Sequence, residues 1–146
     1  MLEPPQSGRL VAFRSDRLGA RLISLVNALR LAQDYDLPMG VHWQQATDIG
    51  QAFNDPGELF AADFVAHRFI DLASFRARRG EAARLRDLIS DGPDAVRDTL
   101  AEGRDVLVEL AFGLALFPGE EPGEVAARAR ETFAALPHAP ALAPAL

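Results

Sequence analysis

The chain has 146 residues, of which 49% are hydrophobic, so it is long enough for one domain with a buried core and too apolar for a disordered protein. Its formal net charge of -6 argues against general binding to nucleic acid or to an anionic membrane. Cysteine is absent, which excludes disulfides, thiolate nucleophiles and cysteine-ligated metals.

All 15 basic residues other than histidine are arginine, and lysine does not occur. The lack of lysine excludes Schiff-base chemistry and a P-loop lysine. Arginine presents a planar fork that suits phosphate and carboxylate groups. Genome composition is the alternative explanation, since alanine is also abundant, and we favour it for most of the arginines.

A strand, a helix and a second strand are predicted near the start of the chain, after a loose lead-in at residues 1–7. Leu10–Phe13 is a short apolar run typical of a buried strand. The helix that follows ends before Pro38, because the residue before a proline is pushed out of the helical region. Met39–Trp43 is the second strand, and a strand–helix–strand unit of this length implies a parallel pair.

The helix between these strands has a broad apolar face with the 3.6-residue helical period. The residues of this face are Leu22, Leu25, Val26, Leu29 and Ala32. Ile23 and Leu31 widen the face, whereas Arg21, Ser24 and Arg30 lie off it. A face this broad predicts a helix that packs on a sheet.

The middle of the chain is predicted to contain short helices and one strand. Asp48–Phe53 is interpreted as a short helix, and Asn54-Asp55-Pro56 as a helix start in which a polar cap precedes proline. Phe64–Ile70 is interpreted as a strand. The arginines within Arg76–Arg79 are predicted to form a solvated face, because acidic residues surround them.

Two short helices, a strand and a last helix are predicted in the second half of the chain. The two helices cover Leu85–Ile89 and the stretch that starts at Asp91-Gly92-Pro93 and stops at Gly103. Asp105–Leu110 is the clearest later strand. The last helix opens at Glu121-Pro122. The residues predicted on its inward face are Val125, Ala129, Phe133 and Leu136.

Together these elements predict an α/β fold with a Rossmann-like open, mostly parallel sheet of about four strands flanked by helices. The α/β domain is assigned to residues 8–137, and the apolar tail at 138–146 is either a docked arm or the start of an inter-domain connection. The apolar run Val106–Phe117 is too short for a membrane span and contains Glu109. The first residues show no signal-peptide pattern, so we expect a cytoplasmic location.

The loop between the first strand and the helix is the candidate ligand site. Arg14, Arg17 and Arg21 surround the helix N-terminus, where unsatisfied N–H groups and the helix dipole favour an anion. Gly19 would let a ligand approach the backbone closely. Ligands of open parallel α/β sheets bind outside the carboxyl ends of the strands, where this loop lies. The alternative is that Asp16 caps the helix and pairs with Arg17 or Arg21.

His42 and Trp43 end the second strand at the same edge of the sheet. The Trp43 ring is a candidate for stacking on a sugar or a base, and His42 for donating a hydrogen bond to a ligand. The alternative is a tryptophan that packs over the sheet edge beside a solvated histidine. His67 and His138 have no partners at metal-ligand spacing, so no metal site is predicted.

Several motifs between Gly8 and Phe60 resemble one enzyme family. The motifs are Leu18-Gly19-Ala20-Arg21-Leu22, Asn27-Ala28-Leu29, Leu37-Pro38, Val41-His42-Trp43 and Glu58-Leu59-Phe60. In this order they are similar to the N-terminal half of the fucosyltransferase-like enzymes, the nodulation and protein O-fucosyltransferase group. The chain departs from that family in two ways: Ala20 replaces the asparagine usual after the glycine, and no His-x-Arg segment follows Phe117.

The resemblance implies a two-domain GT-B glycosyltransferase that transfers fucose or a related sugar from a GDP-sugar to a glycan or peptide acceptor, with no metal and no other cofactor. It implies that this chain is the acceptor-side domain, incomplete without a second domain that holds most of the nucleotide. No catalytic residue is assigned. The alternatives are a non-enzymatic α/β binding or interaction module whose arginine loop docks an acidic group, and a structural domain whose arginines only pair with neighbouring acids.

Overall fold

The computed structural model of the protein describes residues 7–14, 18–43, 55–110 and 113–139. Its strands are β1 (Leu10–Arg14), β2 (Met39–Trp43), β3 (Ala83–Arg84) and β4 (Val106–Val108). The α-helices of the described ranges are α1 (Leu18–Tyr35), α2 (Ala62–Arg68), α3 (Leu72–Arg79), α4 (Leu85–Leu88), α5 (Pro93–Ala101) and α6 (Pro122–Ala134). Short 3-10 turns cover Pro56–Glu58 and Ile89–Asp91.

The four strands form one sheet in the order β2-β1-β4-β3, and every neighbouring pair is parallel. Leu10 of β1 pairs with Met39 of β2 on one side and with Val106 of β4 on the other. The carboxyl ends of the two central strands, β1 and β4, therefore lie side by side at one end of the sheet. The predicted α/β class with a Rossmann-like open sheet is confirmed.

Alternation along the strands divides the core between the two faces of the sheet. Leu10, Ala12 and Val108 belong to a cluster formed with residues of α1, and we call this side the α1 face. Val11 and Leu107 lie on the opposite side, where they pack with Phe75 of α3, and we call it the α3 face. The central strands β1 and β4 thus bury both of their sides, as expected for a parallel sheet.

Helix α1 is buried around most of its circumference, because it packs against both the sheet and α6. Arg21, Ser24 and Arg30, which lie off the predicted apolar face, are buried. Ser24 Oγ donates to the Val108 carbonyl, so its hydroxyl is satisfied at the end of the sheet. Ile23, expected to widen the apolar face, is 39% exposed. The apolar stripe predicts the sheet-facing side of α1 but not its second contact surface.

Arg30 is the centre of a buried network of charges, which we call the Arg30 network. Its Nη1 lies 2.6 Å from Glu120 Oε2 and 3.2 Å from Asp34 Oδ2. Its Nη2 donates to the Ala115 carbonyl, and the Tyr35 hydroxyl donates to Glu120 Oε2 at 2.7 Å. These charge-assisted bonds compensate for burying a guanidinium that is only 1% exposed.

The strand predicted at Phe64–Ile70 is wrong, because Ala62–Arg68 forms α2. Its only strand-like pairing among the described residues is a single bridge between Phe69 and Val41. The Phe64 and Phe69 rings lie 5.8 Å apart in an aromatic cluster. In so short an apolar segment the helical and strand periods cannot be told apart, and packing against β2 decides the outcome.

The helix-start signals of the sequence are confirmed where the structure describes them. Asp55 accepts a hydrogen bond from the Gly57 amide and caps the turn that begins at Pro56. Pro93 and Pro122 are the first residues of α5 and α6. The short helix predicted at residues 48–53 and the cap residue at position 54 lie outside the described ranges.

Other boundaries differ from the prediction. Strand β4 is shorter than the predicted strand Asp105–Leu110, and neither β3 nor α3 was predicted. The arginines of Arg76–Arg79 belong to α3. They are not simply solvated, because Arg78 Nε lies 2.9 Å from Asp105 Oδ2. None of the helices in the described part of the chain has the length and hydropathy needed to cross a membrane.

Candidate anion-binding site

Three arginines and one glutamate line a depression of about 260 Å³ at the carboxyl edge of the sheet. The charged side chains are those of Arg14, Arg84, Arg86 and Glu109. Arg14 and Arg84 are the last residues of β1 and β3, and Glu109 follows β4 directly. The depression therefore lies at the carboxyl ends of β1, β4 and β3, and we call it the arginine depression.

Arg14 spans the gap between the two central strands. Its Nη1 donates to the Glu109 carbonyl at 3.1 Å, a carbonyl that lies beyond the last paired residue of β4. This bond holds the guanidinium against the end of the sheet. The position follows from the sequence order, because Arg14 comes directly before the loop to α1.

Arg84 and Glu109 are brought to the same face of the sheet by the strand register. Arg84 pairs with Leu107, and Glu109 follows Leu107 by two residues, so the three side chains share one face. Leu107 belongs to the α3-face cluster. Arg86 is supplied by α4, which begins directly after β3. Three separate segments of the chain therefore contribute to the depression.

The arginine depression is lined by more positive than negative side chains. Within the described residues, Arg84 and Glu109 form no ion pair. Arg86 has only a loose contact, with its Nε 3.9 Å from Asp87 Oδ1 and both side chains largely exposed. An exposed pair of this kind contributes little. The lining thus has a net positive charge in a chain whose formal net charge is -6.

The predicted site residues are only partly brought together. Arg14 lines the arginine depression, and Arg17 lies outside the described residues. Gly19 is exposed in the first turn of α1, where a Cβ would meet no atom within 4 Å. Arg21 is 4% exposed, and its guanidinium carbon lies 4.6 Å from the centroid of the Trp43 ring. Arg21 and Trp43 therefore form a buried cation–π contact.

His42 and Trp43 point to opposite faces of the sheet, because successive strand residues alternate. His42 is buried, so the alternative of a solvated histidine is wrong. Its ring stacks on Phe75 with centroids 4.1 Å apart. Burial lowers the pKa of His42, and the charges of Arg79 and Arg76 act in the same direction. The imidazole is therefore neutral at physiological pH.

A second depression, of about 770 Å³, lies beyond the end of β2. His42 and Trp43 line it together with Phe69, Ile70 and Arg76. Its charged lining residues are Asp71 and Arg76, so it lacks the excess of arginines that lines the arginine depression. The two residues predicted to contact a ligand thus share one depression, and their roles in binding stay a prediction.

The described residues contain no group of three histidine, aspartate or glutamate side chains that could hold a metal ion. His67 is exposed, with its Nδ1 2.7 Å from the Asp63 carbonyl of the same helix. His138 forms a bridge with Phe60 near the end of the described chain. Neither histidine lines either depression described above.

Three of the four charged residues in the arginine depression were not predicted from the sequence. Arg84, Arg86 and Glu109 are far from Arg14 along the chain, and only the sheet order joins them. Comparison of the chain with protein-family models, with curated proteins and with solved structures finds no match.

Proposed function

We propose that the protein binds a phosphate-bearing ligand in the arginine depression. The observation that supports this most is the meeting of Arg14, Arg84 and Arg86 at the carboxyl ends of the strands of an open parallel sheet. Guanidinium groups bind phosphate oxygens with paired, charge-assisted hydrogen bonds. Ligands of open parallel α/β sheets bind outside the carboxyl ends of the strands.

Helix α1 adds to the positive potential of this edge. It starts at Leu18, shortly after Arg14 leaves β1, and its first turn contains no acidic residue. The N-terminus of a long helix has a partial positive charge and free N–H groups. A phosphate in the arginine depression would therefore be favoured by the field of the helix dipole, although no residue of the first turn of α1 lines the depression.

The finer proposal is that the ligand is a GDP-sugar and that the chain is the acceptor-side domain of a fucosyltransferase-like GT-B enzyme. It rests on the resemblance of Leu18–Leu22 and Val41–Trp43 to that family. In the structure, Arg21 of the first motif contacts Trp43 of the second, so the two motifs are neighbours. In such an enzyme the arginines would stabilise the leaving diphosphate.

A non-enzymatic module that docks an acidic group is the second candidate. It uses the same arginines but does not discriminate between a diphosphate and a carboxylate-rich peptide. A GDP-sugar domain would bind GDP more tightly than a peptide of equal charge. The two candidates are therefore separated by the identity of the tightest ligand.

The test is isothermal titration of the protein with pyrophosphate, with GDP and with a glutamate-rich peptide of the same net charge as GDP. We expect Arg84→Ala and Arg86→Ala each to weaken binding about fivefold or more, because each removes a charge-assisted hydrogen bond. Arg97→Ala is the matched control: Arg97 is exposed on α5 and donates to the Tyr35 carbonyl at the other end of α1.

Two results would overturn the proposal. One is the absence of binding heat with pyrophosphate and with GDP, each at millimolar concentration. The other is a double variant, Arg84→Ala with Arg86→Ala, that binds as tightly as the unchanged protein. If Arg97→Ala weakens binding as much as Arg84→Ala and Arg86→Ala do, the effect comes from the net charge of the chain. That result would also contradict binding in the arginine depression.

A further inference from the structure

Glu109 is an acidic residue in a depression whose other charged residues are arginines, so a site that binds only anions does not explain it. Its side chain lines the arginine depression and repels the phosphate that the arginines attract. Within the described residues it forms no ion pair, so it does not serve to neutralise a neighbouring arginine. Its half-buried carboxylate is thus left to interact with whatever enters the depression.

An ionised carboxylate can only accept hydrogen bonds. A ligand that satisfies both Glu109 and the arginines must therefore combine an anionic group with a hydrogen-bond donor. Hydroxyl groups of a sugar are such donors, and a hydroxyl that donates to a carboxylate forms a strong, charge-assisted bond. Inorganic phosphate and pyrophosphate offer the anion without the polyol.

The spacing along β4 and the residue after it separates the arginine that would bind the anionic group from the carboxylate that would accept the hydroxyl hydrogen bond. Arg84 is level with Leu107, and Glu109 is two residues further along the strand direction, roughly 6.6 Å away in an extended chain. The side chains do not approach to ion-pair distance, so a gap remains between the cation and the carboxylate. A phosphorylated sugar, with its phosphate and ring hydroxyls at separate ends, matches this arrangement.

We infer that Glu109 is a specificity-determining residue, which makes the arginine depression select phosphorylated sugars over simple phosphates. The inference rests on the proposed function, since it needs the arginines to hold the phosphate. A site that hydrogen-bonds a substrate hydroxyl favours that substrate over analogues that lack the hydroxyl, because they cannot form the charge-assisted bond. Glu109 thus discriminates by favouring one ligand and disfavouring the other.

The experiment compares the unchanged protein with Glu109→Gln in titrations with glucose 1-phosphate and with pyrophosphate. We expect Glu109→Gln to weaken glucose 1-phosphate binding about tenfold, because the acceptor charge is lost. Pyrophosphate binding should be unchanged or up to severalfold tighter, because a like charge is removed. Glu124→Gln, an exposed change on α6, is the matched control and should alter neither.

A second variant keeps the inference testable if Glu109→Gln is poorly folded. Glu109→Asp retains the charge and withdraws the carboxylate by one methylene, so we expect weaker glucose 1-phosphate binding without tighter pyrophosphate binding. If the ratio of the two dissociation constants stays the same in both variants, the inference is wrong while the phosphate site stands. If the unchanged protein binds neither ligand, the proposed function itself fails, and the inference with it.

Discussion

Individual arginines in this chain have very different roles, although composition treats them alike. Arg30 is wholly buried and bonded to Glu120 and Asp34, whereas Arg84 is exposed in the arginine depression. The first stabilises the packing of α1 on the segment before α6, and the second is available to a ligand. Burial and partners, rather than residue type, separate structural arginines from candidate ligand contacts.

The Arg30 network predicts a dependence of stability on pH. Burial raises the pKa of Glu120, but the hydrogen bonds from Arg30, the Phe117 amide and the Tyr35 hydroxyl outweigh it, so the pKa lies below its ordinary value of 4.5. A carboxylate with a lowered pKa stabilises the fold above its unfolded-state pKa. That stabilisation is lost as the pH falls through the lower, folded-state pKa. The free energy of unfolding should therefore fall below about pH 4.5.

Glu120→Gln tests this prediction by chemical denaturation between pH 7 and pH 3. At pH 7 the variant should lose about 3–5 kcal/mol, because Arg30 stays buried without its main counter-ion. Its stability should also depend less on pH below 5 than that of the unchanged protein. Glu124→Gln, which changes an exposed residue of α6, should cost less than about 1 kcal/mol. Equal costs for the two variants would show that the Arg30 network contributes little.

The candidate site could be predicted from sequence only for the residue that sits next to a recognisable junction. Arg14 ends a strand and precedes a long helix, so its place at the carboxyl edge follows from local order. Arg84, Arg86 and Glu109 reach the same place through the pairing of β1 with β4 and of β4 with β3. No local signal encodes that pairing, and β3 has only two residues.

Among the elements, the unit β1-α1-β2 was predicted almost to the residue, because each segment has a clear apolar period and a proline ends the helix. The segment Phe64–Ile70 was mistaken for a strand, since both periods fit a few apolar residues. Strand β3 was missed because two residues carry no period at all. The secondary structure of a long segment is determined by its own apolar pattern, whereas that of a short segment is determined by the elements it packs against.

Helix α6 shows how a small error in period misplaces a side chain. The spacing Val125, Ala129, Phe133 follows every fourth residue, and at 3.6 residues per turn such a series drifts around the helix. Thr132 falls closer to the buried line than Phe133 does. Accordingly, Thr132 is buried and Phe133 is 55% exposed. The predicted inward face is correct for Val125 and Ala129 and wrong for Phe133, and Leu136 is buried but lies beyond the end of α6.

Alanine substitutions at Phe133 and Leu136 test this orientation. Phe133→Ala should change the free energy of unfolding by less than about 1 kcal/mol, because the ring is largely in water. Leu136→Ala should cost about 2–5 kcal/mol, because it removes a buried side chain of the main core. Both values are read from urea denaturation. A larger cost at Phe133 than at Leu136 would contradict the exposed position of Phe133 and the buried position of Leu136.

At the scale of the whole molecule, the arginine depression is a local positive region on an acidic chain. Distant acidic groups act on an anion only through the long-range field, which salt screens within about 30 Å at 0.01 M and about 10 Å at 0.1 M. Arg14, Arg84 and Arg86 would act at contact distance. Local contacts and the overall charge of -6 therefore oppose each other, and ionic strength changes their balance.

The two contributions predict a moderate salt dependence of pyrophosphate binding. Raising potassium chloride from 0.01 M to 0.3 M should weaken binding severalfold, because exposed contacts such as those of Arg84 and Arg86 are screened. The loss should be smaller than the arginines alone would give, because salt also removes the repulsion from the acidic chain. In the same series the free energy of unfolding should change little, since the pair of Arg30 and Glu120 is buried and poorly screened. Binding that tightens with salt would mean that the acidic field outweighs the arginines, which would count against the depression as an anion site.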